Sequence, residues 1–296
     1  MLSDELSEGL VRRLFEAERD RVPIAPLSDS YPDLSEEDAY RIQDGLVAAG
    51  GEGVIGYKLG FTSRAMREQM GISGPNHGRL TGGMRVDSNG ARIELSRLIH
   101  PRVEPEVSLL IEHDLHGPGL LPVQVYPAIR WVFGALEVVD SRYRDYRFRA
   151  EDNAADNSSA ARFVLGPPTA LGGVPDLRLA GAMIWQNGRL LGRGIGADAL
   201  GGPIDAVAWL ANRLGEAGRK LEAGSIVLTG ASRKPTPSAK EERSSRSSPG
   251  WEASKHTSSE ARNAGSRDES RGQGTMRRAI SVLSKECGFS IQAERL

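Results

Sequence analysis

The sequence predicts an α+β fold, with a mixed, largely antiparallel β core preceded by N-terminal helices. Three observations predict it. The first fifty residues carry helical apolar spacing. Several strand patterns then follow one another without intervening helices, which excludes a doubly wound parallel sheet. The 296 residues, 39% hydrophobic and 26% charged, are enough chain to bury one large core.

The elements follow in order. Residues 3–19 place Leu6, Leu10, Leu14 and Ala17 on one helical face. Ser35, with Asp38 at capping-box spacing, starts a second helix that Gly50-Gly51 stops. VIGYKLGF (54–61) reads as a strand, and a short helix runs from a Thr62 cap to Gly71. The strongest strands are 103–115, 131–143 and 161–166. Residues 182–194 form a hairpin turning on Asn187-Gly188. Pro203 opens a helix that ends at Gly218, and SIVLTG (225–230) is one more strand.

Composition bounds the function. A net charge of −1 argues against a dedicated nucleic-acid binder. No apolar run approaches the roughly 18 residues of a membrane span. The acidic, amphipathic N-terminus has no signal-peptide core. A single cysteine allows no internal disulfide and suggests a reducing compartment, so a cytoplasmic protein is expected.

The totals hide a seam at Ala231. Residues 1–231 carry 25 Lys+Arg and 31 Asp+Glu, while residues 232–296 carry 13 and 8. Fourteen of the last 65 residues are serine, as many as in the first 231. Most of that tail lacks apolar periodicity and is expected to be disordered. The expected organisation is a helical segment at 1–53, a catalytic domain at 54–231 and a tail at 232–296.

Glu104-Pro105-Glu106 lies inside a strand pattern, where residues i and i+2 share a face. Two ionised carboxylates roughly 7 Å apart along one face repel unless a cation lies between them. Glu137, in the strand pattern ALEVVD, offers a third. Together they would form an oxygen-rich site suited to Mg²⁺ or Mn²⁺, although a Glu pair on a strand is commonly a solvated face. Lys58, between apolar residues and glycines, reads either as an acid/base of lowered pKa or as a snorkelling lysine at a strand edge. Asp152–Ser159 (DNAADNSS) reads equally as a substrate-binding loop or as turns and caps. GRGIGAD (192–198) lacks the spacing of a dinucleotide loop, and the histidines show no ligand spacing.

With these residues in view, the sequence resembles the 2-oxo acid hydratase/decarboxylase branch of the fumarylacetoacetate hydrolase superfamily. The resemblance runs from residue 1 to Ala231. It is carried by YPDLSEEDAYRIQ, GYKLGFTSRAMREQMGI, HPRVEPEV, ALEVVDSRY, ADNSSAARFVLG, LGGPIDAVAWLANRLGEAG and AGSIVLTGA. It implies a fumarylacetoacetase-like core, with Glu104, Glu106 and Glu137 as Mg²⁺ or Mn²⁺ ligands. Lys58 becomes the acid/base or electrostatic residue, and Ser158 or Ser159 the holder of a substrate oxygen. The implied reaction is decarboxylation of 2-oxo-3-hexenedioate (4-oxalocrotonate), with 2-oxopent-4-enoate hydration as the alternative. The implied partners are a small 2-oxo acid, further copies of the chain and the sister hydratase. A non-catalytic subunit is the third reading.

The family continues past the TGA strand with a pattern that this chain leaves at Ser232. In a reading frame shifted by one base, the codons from Ala231 onward permit Leu-Thr-Glu-Ala, and those of Pro249–Ser254 permit Gly-Leu-Gly-Ser-Val, the family's closing motif. The tail therefore reads as out of frame through a one-base deletion near codon 231, with the core's last strands lost. Re-sequencing this stretch is expected to reveal the deletion. An intact frame together with a protein of full mass would sink the idea.

Overall fold

A computed structural model describes residues 1–88, 92–174, 176–186, 189–231, 236–237, 280–284 and 289–293. The chain opens with two helices, α1 (Asp4–Asp20) and α2 (Glu36–Ala49). Ser3 and Ser35 cap them by accepting the amides of Leu6 and Asp38. Strand β1 (Val54–Gly60), α3 (Arg64–Met70), β2 (Asn76–Thr81) and β3 (Arg85–Val86) follow. Next come β4 (Arg102–Ile111), α4 (Pro122–Val125), β5 (Ile129–Val139) and α5 (Ala150–Ala155). After β6 (Ala160–Leu165) and β7 (Thr169–Ala170), β8 (Gly181–Gln186) and β9 (Arg189–Ile195) pair as the expected hairpin, whose Asn187-Gly188 turn lies outside the described residues. Helix α6 (Pro203–Glu216) and β10 (Ile226–Ala231) complete the part that the sequence makes legible.

The main sheet runs β2-β1-β10-β4-β5-β6-β3, antiparallel except for β1 with β10 and β3 with β6. The sheet is strongly curled. Leu80 of β2 and Phe163 of β6, near opposite ends of that order, pack in one buried cluster with Leu228 of β10 and Ala135 of β5. A flat sheet would hold β2 and β6 roughly 24 Å apart, so only closure toward a barrel brings them together. Alternation then sorts the side chains. Val107, Leu109 and Ile111 of β4 face outward against Ala206, Val207 and Leu210 of α6. Glu104, Glu106, Ser108 and Leu110 line the interior.

The sequence reading ends the core at residue 231. The structure adds β11 (Thr236–Pro237) against β4, and β12 (Ile280–Ser284) and β13 (Phe289–Ala293) against β8. The rest of the tail, including Ser232, the Pro249–Ser254 stretch, Trp251 and Cys287, lies outside the described residues. Pro105, which has no amide to donate, falls between the last rung with β10 at Glu106 and the first with β11 at Val103, so a central strand tolerates it.

Two details differ from the sequence reading. Ser63, not Thr62, precedes α3, and Thr62 is buried against Gly230. The segment DNAADNSS, read as a loop or as turns and caps, is the end of helix α5 followed by a tight turn. Among the described residues no helix is long and apolar enough to cross a membrane.

The N-terminal helices pack onto α5 and Tyr143 through Leu10, Leu14, Ile42 and Leu46. Arg142, 3% exposed, ties this layer to the sheet. It meets Glu18 of α1 at 2.7 Å, donates to the carbonyls of Asp156 and Ala160, and lies 3.4 Å from a carboxylate oxygen of the buried Asp156. Arg142→Met would leave Asp156 buried without its counter-charge. Chemical denaturation should show a loss of about 3–5 kcal/mol. A loss below about 1 kcal/mol would contradict that role.

Candidate metal centre and active site

The polar end of the curled interior gathers the residues that the sequence singles out. Glu104 of β4 stands directly across from Glu137 of β5, and Glu106 lies one same-face step along β4. One carboxylate oxygen from each lies within 4.8 Å of the other two, and all three side chains are buried. This distance is shorter than the spacing of two glutamates along a strand, because the side chains converge.

Lys58 projects from β1 into the same space. Its Nζ lies 3.2 Å from Glu137 Oε2 and donates to the Ser158 carbonyl at 3.0 Å. Strand β1 is three places from β5 in the sheet, roughly 14 Å if flat, so the curl alone makes this contact possible. Gly230 donates its amide to Glu106 Oε2 at 2.9 Å. Its φ of 99° and the proximity of Thr62 leave no room for a Cβ there.

The serines come from a conformationally unusual turn. Asn157, Ser158 and Ser159 have φ of 51°, 51° and 57°, three successive left-handed residues without a glycine. Such backbone persists only where its surroundings over-determine it. Asn157 accepts the Arg79 amide and donates to the Arg79 carbonyl, as a strand partner would. Asp156 Oδ2 accepts from Ser141 Oγ, the Arg142 amide and Ser159 Oγ. Ser158 Oγ donates to Asn76 Oδ1, whose amide group in turn donates to Asn153. Both serines reach the wall of a cavity of about 310 Å³, which Lys58 and Glu104 also line.

Burial dominates the electrostatics. It drives the Glu104 carboxyl up to about 7, against which Lys58 acts, and pushes Glu106 well above and Glu137 above the ordinary value. Three buried carboxylates cannot all ionise beside one lysine. Glu106 Oε1 and Glu137 Oε1 have no hydrogen-bond partner. These orphaned oxygens, with an all-oxygen donor set, fit a hard divalent cation. For Lys58, burial lowers the pKa, but Glu137, Glu104 and Glu106 more than offset it and hold it above normal. The lowered value allowed by the sequence reading is thus corrected: surrounding charge, not burial, decides.

The sequence reading does not single out Arg102, Tyr146, Phe148 or Asn76, whereas Asn153 falls within the DNAADNSS segment that it does. Arg102 could have been found by its period-two spacing from Glu104. Asn76 belongs to a strand that the glycine-rich segment around it disguised. His77 lies on that strand, stacked on Tyr40 at 4.5 Å, and burial holds it neutral with a pKa lowered to about 3.

A curled mixed sheet with three glutamates and a lysine converging in its interior defines the class as a candidate metal-dependent enzyme. No family model matches the chain. It is 37% identical over 235 residues to 2-hydroxyhexa-2,4-dienoate hydratase of Comamonas testosteroni, covering 78% of this chain and 89% of that protein. It is 38% identical over 225 residues to 4-oxalocrotonate decarboxylase of Pseudomonas sp. strain CF600, covering 75% and 85%. The solved 4-oxalocrotonate decarboxylase of Pseudomonas putida G7, complexed with magnesium and adipate, superposes with a TM-score of 0.78 at 35% identity, covering 81% and 92%. The chain belongs to the family of 2-keto-4-pentenoate hydratases and 4-oxalocrotonate decarboxylases, which makes it a lyase.

The carboxyl shifts set a pH dependence. Glutamates whose folded-state pKa is raised above 4.5 contribute stability that is complete below that value and is lost as pH rises through about 7, the Glu104 value. A cation takes the ionised form, so the rise in thermal midpoint on adding Mn²⁺ should grow between about pH 5 and pH 8. An equal rise at both, or none, would refute the tri-carboxylate site.

Proposed function

We propose that the chain decarboxylates 2-oxo-3-hexenedioate to 2-hydroxypenta-2,4-dienoate, with Glu104, Glu106 and Glu137 holding Mg²⁺ or Mn²⁺. The carrying observation is the buried carboxylate trio, with its orphaned oxygens, beside a buried lysine that lines one cavity together with Glu104. The magnesium and adipate of the solved P. putida relative support it, adipate being a diacid of the same chain length. A cation bound there supplies Lewis-acid stabilisation of the charge that develops on the 2-oxo oxygen.

The chain's own residues supply the rest. Ser158 and Ser159 hold oxygens of the 2-oxo acid end. The bond to the distal carboxylate breaks, CO₂ leaves, and the electron pair passes through the conjugated carbons to the 2-oxo oxygen, which takes a proton. Lys58, held charged by its carboxylate neighbours, places positive charge and a proton beside that oxygen. Phe61, Met66, Met70 and Phe148 line the cavity and exclude the water that would otherwise add to the product.

The second reading, hydration of 2-oxopent-4-enoate, draws on the hydratase relatives at 37% and 40% identity. It uses the same site with water admitted at the far end. The proposed setting is cytoplasmic, as a homo-oligomer able to associate with the sister hydratase. The proposed organisation keeps the helical segment at 1–53, the catalytic domain at 54–231 and an out-of-frame tail. The matches reported above span 225–235 residues, close to the 231 that precede the seam.

Incubating the protein with Mg²⁺ and 2-oxo-3-hexenedioate should release CO₂. Water addition to 2-hydroxypenta-2,4-dienoate without CO₂ release would favour the hydratase, and neither activity would leave a non-catalytic subunit. Glu106→Gln removes a ligand and should lower turnover by more than about 100-fold. Unchanged turnover would overturn the metal assignment.

A further inference from the structure

Arg102 occupies the position just before the glutamates on the interior face of β4. Residues 102, 104 and 106 share that face at period two, so Arg102 stands roughly 7 Å along the strand from Glu104. That is comparable to the length of a six-carbon diacid. The guanidinium lies 3.7 Å over the centre of the Tyr146 ring. The ring is itself fixed: its hydroxyl donates to the Val139 carbonyl at 3.0 Å, and His100 packs on it at 4.7 Å, with His100 Nε2 2.8 Å from the Ser141 carbonyl oxygen. Arg102 is thus held by a rigid aromatic platform and does not sweep through solvent. Arg102 and Tyr146 both line the cavity that contains Lys58, Glu104, Ser158 and Ser159. The same cavity is walled by Phe61, Met66, Met70 and Phe148, which weaken screening of any ion pair formed inside it. The exposed Asp145 also lies on its lining and sets an opposing charge at the rim.

Resting on the function proposed above, we infer that Arg102 is the specificity-determining residue for the distal carboxylate, selecting 2-oxo diacids over 2-oxo monoacids. The cavity then carries two separated demands. The carboxylate trio and the serine turn take the 2-oxo acid head, and Arg102 takes the second carboxylate one strand step away. Anchoring that carboxylate also fixes the orientation of the bond that must break relative to the conjugated chain. A monoacid substrate satisfies the first demand only, and gains nothing from the guanidinium.

The test uses two ligands that differ only in the distal carboxylate, 2-oxohexanedioate and 2-oxohexanoate. Their dissociation constants are measured by calorimetry with Mg²⁺ present, in the full chain and in its frame-restored counterpart. The diacid should bind roughly 10- to 100-fold more tightly, as expected for a charge-assisted pair. Arg102→Met keeps the stem that stacks on Tyr146 and removes the charge. It should erase that preference by weakening the diacid while leaving the monoacid within about twofold, and Arg102→Lys should restore part of it. Folding of each variant is checked by its thermal midpoint. Equal binding of the two ligands to the parent protein overturns the inference. So does an Arg102→Met variant that weakens both ligands alike, which would place Arg102 at the head group. The underlying reading fails separately: a parent that binds the diacid preferentially but releases no CO₂ retains the specificity assignment and loses the decarboxylase. Failure of both ligands to bind in the frame-restored chain sinks both.

Discussion

Three carboxylates buried together at one end of a curled sheet are the constraint on which the rest of the molecule depends. Like charges in a poorly solvated space repel, and one lysine cannot neutralise three glutamates. Everything around them answers that problem. The curl brings Lys58 across three strand positions. The Gly230 amide reaches Glu106, and the donor set stays short of partners by the amount that a divalent cation would supply. The apolar cluster of Leu80, Phe163 and Leu228 packs directly beside the polar groups, with Phe163 across from Glu137 and Leu228 across from Lys58, so the carboxylates meet apolar side chains rather than water on that side.

Much of this was legible in the sequence, for physical reasons. Glu104 and Glu106 share a face because strand side chains alternate, and apolar neighbours mark Glu137 as buried. Lys58 announced itself by sitting between glycines and apolar residues. Alternation could not reveal that Glu104 and Glu137 stand on directly opposed rungs, because register across β4 and β5 depends on long-range pairing. Nor could it assign the state of Lys58. A buried lysine reads as one of lowered pKa until the charges brought in from other strands are known.

The turn at 157–159 marks a different limit. Asp, Asn and Ser are ordinary turn formers, and the sequence reading left their role open. Their function here depends on three left-handed residues in succession, held by the Asn157 bridge to β2 and by the Asp156 carboxylate. These partners are 78 and 15 residues away in sequence for Arg79 and Ser141. Local propensity therefore describes the composition of this turn but not its shape. The helical layer matters to the site because Arg142 connects Glu18 of α1 to the carbonyls on either side of that turn.

Among the described residues, the amide of Gly230 is the last in sequence to contact the glutamate cluster, and it lies just before the composition changes at Ala231. Every group proposed for the chemistry is therefore encoded upstream of that change. A lesion confined to the stretch downstream of Ala231 would separate two properties that enzymes normally lose together. Chelation, which needs only the upstream half of the design, can outlive turnover, which needs a sealed and durable container.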